Sequence, residues 1–291
     1  QDHPLVTGRL RRAILAVALA ALAGACSSVT RLAYDNAGVA AVWMVDDWFD
    51  LRDGQRDWVK ERFARLHAWH RVRELPACER LLHGLAARAA TGIAREDARR
   101  AYDEMRVLYH RAIRQAVPDM AEFLLRLQPE QVDRLERKFA QDNADKERQG
   151  AKGTPRERRE ARVKRYLERV DDWIGSLTAA QRDIVRSRVE AMPDLAEEWM
   201  ADRRQRQAAT LELIRSRASR EEVAAGLTRL LVDTETWRRP GYAARIQARD
   251  ELVFAMIADL DVTLVPEQRG RLHRRIAGYA ADAAQLMAAN P

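Results

Sequence analysis

The chain has 291 residues, 47% hydrophobic and 33% charged, with a formal net charge of +7. That is ample for a sizeable core in one large or two small domains, and two cysteines exclude a disulfide framework. Only five of the 51 basic residues are Lys; an arginine bias with a small charge excess is weak ground for a nucleic-acid partner, and none is expected.

Residues 1–25 read as a leader rather than as fold. Arg9, Arg11 and Arg12 precede an uncharged run from Ala13 to Gly24. That run has the length of a signal-peptide core and falls short of the roughly 20 apolar residues that span a bilayer. It ends in "LAGACSS", Leu22 to Ser28. Small residues before a cysteine resemble the cleavage site of a bacterial lipoprotein signal. The resemblance implies lipidation (palmitate included) at Cys26. Ser27, where Asp would favour inner-membrane retention, implies the periplasmic face of the outer membrane. With Cys26 lipidated, Cys78 has no partner for a disulfide; its apolar neighbours in "LPACERLL" suit a small buried residue.

Residues 26–150 form a first helical region. It opens unusually rich in aromatics: Trp43, Trp48, Trp58 and Trp69 are four of the chain's seven tryptophans, and they lie beside Tyr34 and Phe49. Their helical spacing favours space-filling between helices over a lipid-interface belt. The segment "LHAWHRVRELP", Leu66 to Pro76, places two histidines three residues apart and a glutamate four beyond the second. At about 100° per residue, His70 falls on the apolar stripe of Val59, Phe63 and Leu66. His67 and Glu74 lie at its edge, and Glu74 is one turn from His70. The helix is expected to stop at Pro76, with His70–Glu74 as its polar contact. A catalytic metal would need a third protein ligand, and Asp47 or Asp50 (with Asp46) could fold back to supply it. The candidate polar site is therefore His67, His70, Glu74, Asp47 and Asp50. There is no HExxH, glycine-rich phosphate loop or GxSxG elbow. No cofactor is expected.

Next, Tyr102, Met105, Tyr109, Ile113, Ala116, Met120, Phe123, Leu124 and Leu127 step by three or four, one apolar helical stripe in which Pro118 should kink or restart the helix. Asp145 to Arg169 carries ten basic and five acidic residues, with Gly150, Gly153 and Pro155 in its first half. It reads as a hinge before a second helical region, residues 151–291, though the two regions also suit one continuous domain. Apolar steps recur at Val163 to Leu177 and Leu252 to Leu260, and no alternating strand appears.

One pattern repeats: "LQPEQVDRL" at Leu127, "LTAAQRDIV" at Leu177, "LVPEQRGRL" at Leu264, and a fainter "LRDGQRDWV" at Leu51. Thr178 can cap a helix while Gln181 reaches back to the cap N–H. Pro129 and Pro266 suit a first helical position, but Gln128 and Val265 are poor caps and keep only half the device. Ser219/Glu222 and Thr154/Glu157 are further capping boxes. The pattern also resembles the Leu-Thr-x-x-Gln motif of small periplasmic chaperones.

Tyr34–Asn36, Trp43, Asp47–Leu51, Gln55, Trp69–Arg71 and Glu74–Pro76 resemble the signature of an uncharacterised lipoprotein family of Gram-negative bacteria. Glu122 to Asp145 is similar to a second block of that family, ending in Asp-Asn. The resemblance implies location and fold and no particular chemistry. The expectation is an all-α bundle of roughly eight to eleven helices without a sheet. It would be anchored through Cys26 and act without catalysis on an envelope protein partner. The alternatives are a holdase, or a metal-dependent enzyme centred on His67, His70 and Glu74.

Overall fold

The computed structural model describes residues 27–148, 153–216 and 218–288; the leader and Cys26 lie outside them. The described chain is all-α, with eleven helices and no strand. In order they are α1 (Ser27–Asp35), α2 (Ala37–Phe49), α3 (Gln55–Trp69), α4 (Leu75–Thr91), α5 (Arg95–Leu125), α6 (Pro129–Lys146), α7 (Pro155–Ile174), α8 (Ala179–Glu190), α9 (Ala196–Arg215), α10 (Arg220–Leu231), α11 (Pro240–Asp261) and α12 (Pro266–Ala288). α3 and α4 count as one helix, because a π-helical turn over His70–Glu74 joins them without a break. None of these helices is long and apolar enough to cross a membrane.

The capping signals act as the sequence suggests. Thr154, Thr178 and Ser219 each accept from the third helical N–H of α7, α8 and α10. Glu157, Gln181 and Glu222 return a bond to the cap N–H. At the starts of α6 and α12 only the returning half is made, from Gln131 to the Gln128 N–H and from Gln268 to the Val265 N–H.

Two apolar clusters organise the helices. One joins α2, α3, α5 and α10 around Val59, Val117, Ala121, Phe123 and Leu227, and continues into α6 and α9 through Leu135 and Leu211. The other joins α7, α8 and α11 around Val163, Val185, Val189 and Met256, with α4 and α12 packed alongside through Ala86, Ala89 and Ile276. Small residues let α4 and α12 approach closely, and they form the most extensive helix pair of the fold. The two regions on either side of residue 150 therefore interleave: α4 packs on α12, and α5 packs on both α10 and α11.

α5 bridges the clusters. At 1.5 Å per residue its 31 residues span about 46 Å. Its first half meets α11 through Tyr102 on Phe254, ring centres 5.6 Å apart, and its second half enters the first cluster. Of the two outcomes expected at Pro118, a restart does not occur. The helix runs through Pro118 as a single element; Pro118 and Arg114 are both exposed, so water reaches the carbonyl that the proline leaves unbonded. The apolar stripe is also interrupted. Met105 and Tyr109 are 57% and 54% exposed, because they fall in the span between the clusters, where none of the described helices covers them.

Of the four tryptophans of the first helices, Trp48 and Trp58 fill space between helices, as their spacing suggested. Trp48 packs on Phe139, and Trp58 stacks on Phe123 with the guanidinium groups of Arg62 and Arg126 each 5.0 Å from its ring centre.

Candidate functional site

Pro76 does not end its helix. It has no N–H to give the carbonyl of Val72, and its ring would press on that carbonyl in an α-helical register. The chain takes one extra residue into the turn, so the Leu75 N–H bonds to the His70 carbonyl, five residues back. The extra residue rotates the rest of the helix by about 100°. Glu74 therefore swings away from the edge where an unbroken helix would put it beside His67. It is 3% exposed and accepts two hydrogen bonds from Arg111 on α5, from Nε at 3.2 Å and Nη2 at 2.8 Å. The expected His70–Glu74 contact is replaced by Glu74–Arg111.

The histidines close on α1 instead. The Tyr34 hydroxyl and His70 Nδ1 are 3.0 Å apart, and His67 Nε2 donates to the Tyr34 carbonyl at 3.1 Å. The Tyr34 ring lies 4.3 Å from that of His67 and 5.8 Å from that of His70. Arg71 adds an ion pair to Asp35 at 2.9 Å and sets its guanidinium 5.5 Å from the centre of the Tyr34 ring. Burial pushes both imidazoles below the ordinary histidine range; for His67 the Arg71 charge adds to this, while for His70 the Glu74 charge opposes it. Burial pushes the Tyr34 phenol up to about 12. The Cys78 thiol is likewise pushed up by burial and by the Glu74 charge, which suits a packed thiol rather than a nucleophile.

Asp47 and Asp50 do not join this cluster. Asp47 pairs with Lys138 on α6 at 2.8 Å. Asp50 ends α2 in a left-handed conformation, φ 57°, and its carbonyl accepts from Gln131. Among the described residues no group of three His, Cys, Asp or Glu side chains is arranged to hold a metal.

Two of the repeated glutamines are the most enclosed polar side chains among the described residues. Gln131 is 1% exposed and Gln181 0%. Gln131 Nε2 donates to the Phe49 and Asp50 carbonyls at 3.1 Å and to Gln55 Oε1 at 2.8 Å. Gln181 Nε2 donates to the Thr263 carbonyl and to Gln268 Oε1, and Gln268 Nε2 donates to the Ser176 carbonyl. The four copies of the repeat thus form two clamps, the start of α3 on that of α6 and the start of α8 on that of α12.

A model of a family of unknown function (DUF6279) matches residues 47–242. The chain belongs to that family. No curated protein and no solved structure matches the chain. The DUF6279 span holds Asp47, Asp50, His67, His70, Glu74 and Arg111, together with the whole first clamp. Tyr34 precedes it, and Gln268 follows it. Sequence reasoning marks Tyr34 as a signature residue without showing its partners. Arg111 carries no signal, because one more arginine on a charged helix face looks like any other.

Proposed function

We propose that this DUF6279 chain is a non-enzymatic helical module, tethered through Cys26 to the periplasmic face of the outer membrane, that works by contact with another envelope protein. The observation that carries the reading is the bare span of α5. Met105 and Tyr109, one turn apart and so on one face of α5, are 57% and 54% exposed, on a helix held at both ends. Large apolar side chains concentrated on one fixed element suit a docking site better than scattered exposed residues do.

The chemistry of the signature segment fits this reading. His67, His70 and Glu74 are each held by Tyr34 or Arg111, and such bonds position helices. The glutamines behind the likeness to periplasmic chaperones are buried in the clamps, out of reach of a client.

Photo-crosslinking residues placed at 105 and 109 of the anchored protein test the docking span, with one at Lys164 on α7 as control. The expected result is an adduct of one defined mass from 105 and 109, lost from 109 on Met105→Asp. Equal adducts from all three positions would overturn the reading. Cys26→Ser should abolish palmitate labelling and release the protein from the membrane; retained labelling would rule out the anchor.

A further inference from the structure

A cavity of about 480 Å³ lies between α2, α5, α6, α9 and α10, within the range of small-ligand pockets. All its lining residues but Val45 fall inside the family-matched span. Its wall is apolar and aromatic: Trp48, Phe49, Phe123, Phe139, Leu227 and Leu231. The facing stripe of α9 is polar, with Arg203, Arg206, Gln207 and Thr210 at helical spacing. α9 enters the first cluster only beyond this stripe, through Leu211 and Ile214. An apolar wall thus faces a polar helix across open space, a mismatch that simple helix packing would fill with apolar side chains.

Three of the four polar side chains are engaged. Arg203 bonds to Asp142 and Asn143, Gln207 exchanges bonds with Asn143, and the Thr210 hydroxyl donates to the Arg206 carbonyl. Asp142 and Asn143 are the Asp-Asn that closes the second signature block. Arg206 is partly buried, and its guanidinium has no ion-pair or hydrogen-bond partner among the described residues. One uncompensated guanidinium beside an aromatic cavity matches a ligand with one negative charge and one apolar chain. A carboxylate meets the planar fork of Arg with two parallel bonds. The volume suits a single chain.

We infer that this cavity binds a long-chain fatty acid, with its carboxylate on Arg206 and its chain against Trp48, Phe123 and Phe139. The inference depends neither on the lipid anchor nor on the docking span of α5. The test uses the full-length Cys26→Ser chain purified without detergent, titrated with laurate and with dodecanol, and read by displacement of a fluorescent fatty-acid probe. Laurate is expected to bind saturably with one molecule per chain, and dodecanol more weakly. Arg206→Gln should weaken laurate about tenfold, as loss of a charge-assisted bond does, and leave dodecanol and the melting temperature unchanged. Thr210→Trp, which puts a bulky ring on the cavity's α9 side, should abolish both; if that variant fails to fold, the laurate–dodecanol comparison in Arg206→Gln decides. Absence of saturable binding would mean the cavity is a packing gap. Equal laurate affinity with and without Arg206, or tighter binding of a lysophospholipid than of laurate, would overturn the inference.

Discussion

Gln181 and Gln268 each donate to and accept from the other, Nε2 to Oε1 at 2.8 and 3.0 Å, across the starts of α8 and α12. Each oxygen also accepts its own cap N–H, and each nitrogen also donates to the loop before the partner helix. Gln55 and Gln131 repeat the arrangement at 3.1 and 2.8 Å. A buried amide pair so fully bonded fixes both helix starts at once.

Removing Gln181 takes two bonds from Gln268 and leaves the Thr263 carbonyl and the Thr178 N–H without their side-chain partner; removing Gln131 does the same to Gln55 and to the Phe49 and Asp50 carbonyls. Gln181→Ala is expected to cost about 2–3 kcal/mol, and Gln131→Ala a similar amount, since each buried polar group left unbonded costs about 1–3 kcal/mol. Urea unfolding of the single and double variants checks this. The Gln181/Gln268 pair should show a coupling of about 1 kcal/mol or more, as residues sharing one hydrogen-bond network do, and additive losses would contradict the clamp.

The histidine cluster predicts acid sensitivity. His67 and His70 titrate below their ordinary value in the folded chain, chiefly through burial. The unfolded chain therefore takes up protons first as pH falls through about 6.5. Stability is complete above that pH and declines below it. The groups facing them are Tyr34, Asp35, Arg71 and Glu74. Urea midpoints at pH 7.5 and 5.5 should differ in the native chain and converge in His67→Gln/His70→Gln. An equal drop in both chains would place the acid sensitivity elsewhere.

Glu74 and Arg111 form an unequal pair, one buried and one half exposed. Arg111→Ala strands a buried carboxylate and should cost about 2 kcal/mol, less than for a fully enclosed pair because water reaches the arginine side. Glu74→Gln should cost less. Adding Arg111→Ala to Glu74→Gln should then change little, which a double-mutant cycle in urea measures.

Pro118 offers a gain. Alanine there restores the helical N–H toward the Arg114 carbonyl on an exposed face. The helix gains a bond, and the unfolded chain regains some freedom. The expected net effect is about 1 kcal/mol of added stability, read as a higher melting temperature. A lower one would show that the proline conformation is needed where α5 turns into the first cluster.

Much of the fold was legible because helix starts are local chemistry. Thr154, Thr178 and Ser219 cap where the spacing of Thr or Ser with Glu or Gln said they would, and even the faint repeat at Leu51 proved to be half of a clamp. What was not legible depends on distant partners. The pairing of Gln55 with Gln131 rather than with Gln181 or Gln268 is a property of topology. Met105 and Tyr109 fit an apolar stripe well, yet nothing in their spacing reveals that none of the described helices lies across from them. At Pro76 the ambiguity was local: a proline after a helical pattern either stops the helix or forces a wider turn. The second outcome moved Glu74 from His70 to Arg111.

The pairing of α4 with α12 also sets an order of events during synthesis. Arg269 bonds to the Ala89 carbonyl across 180 positions of sequence, and Ala86 and Ala89 are covered by Ile276. Until the ribosome has delivered residues 266–288, the apolar face of α4 has no permanent cover. The first cluster draws only on residues before 232, so it can assemble early, while the second waits for the end of the chain. A ribosome stalled before residue 266 would leave a half-folded protein with one bare seam, the surface that chaperones and proteases recognise.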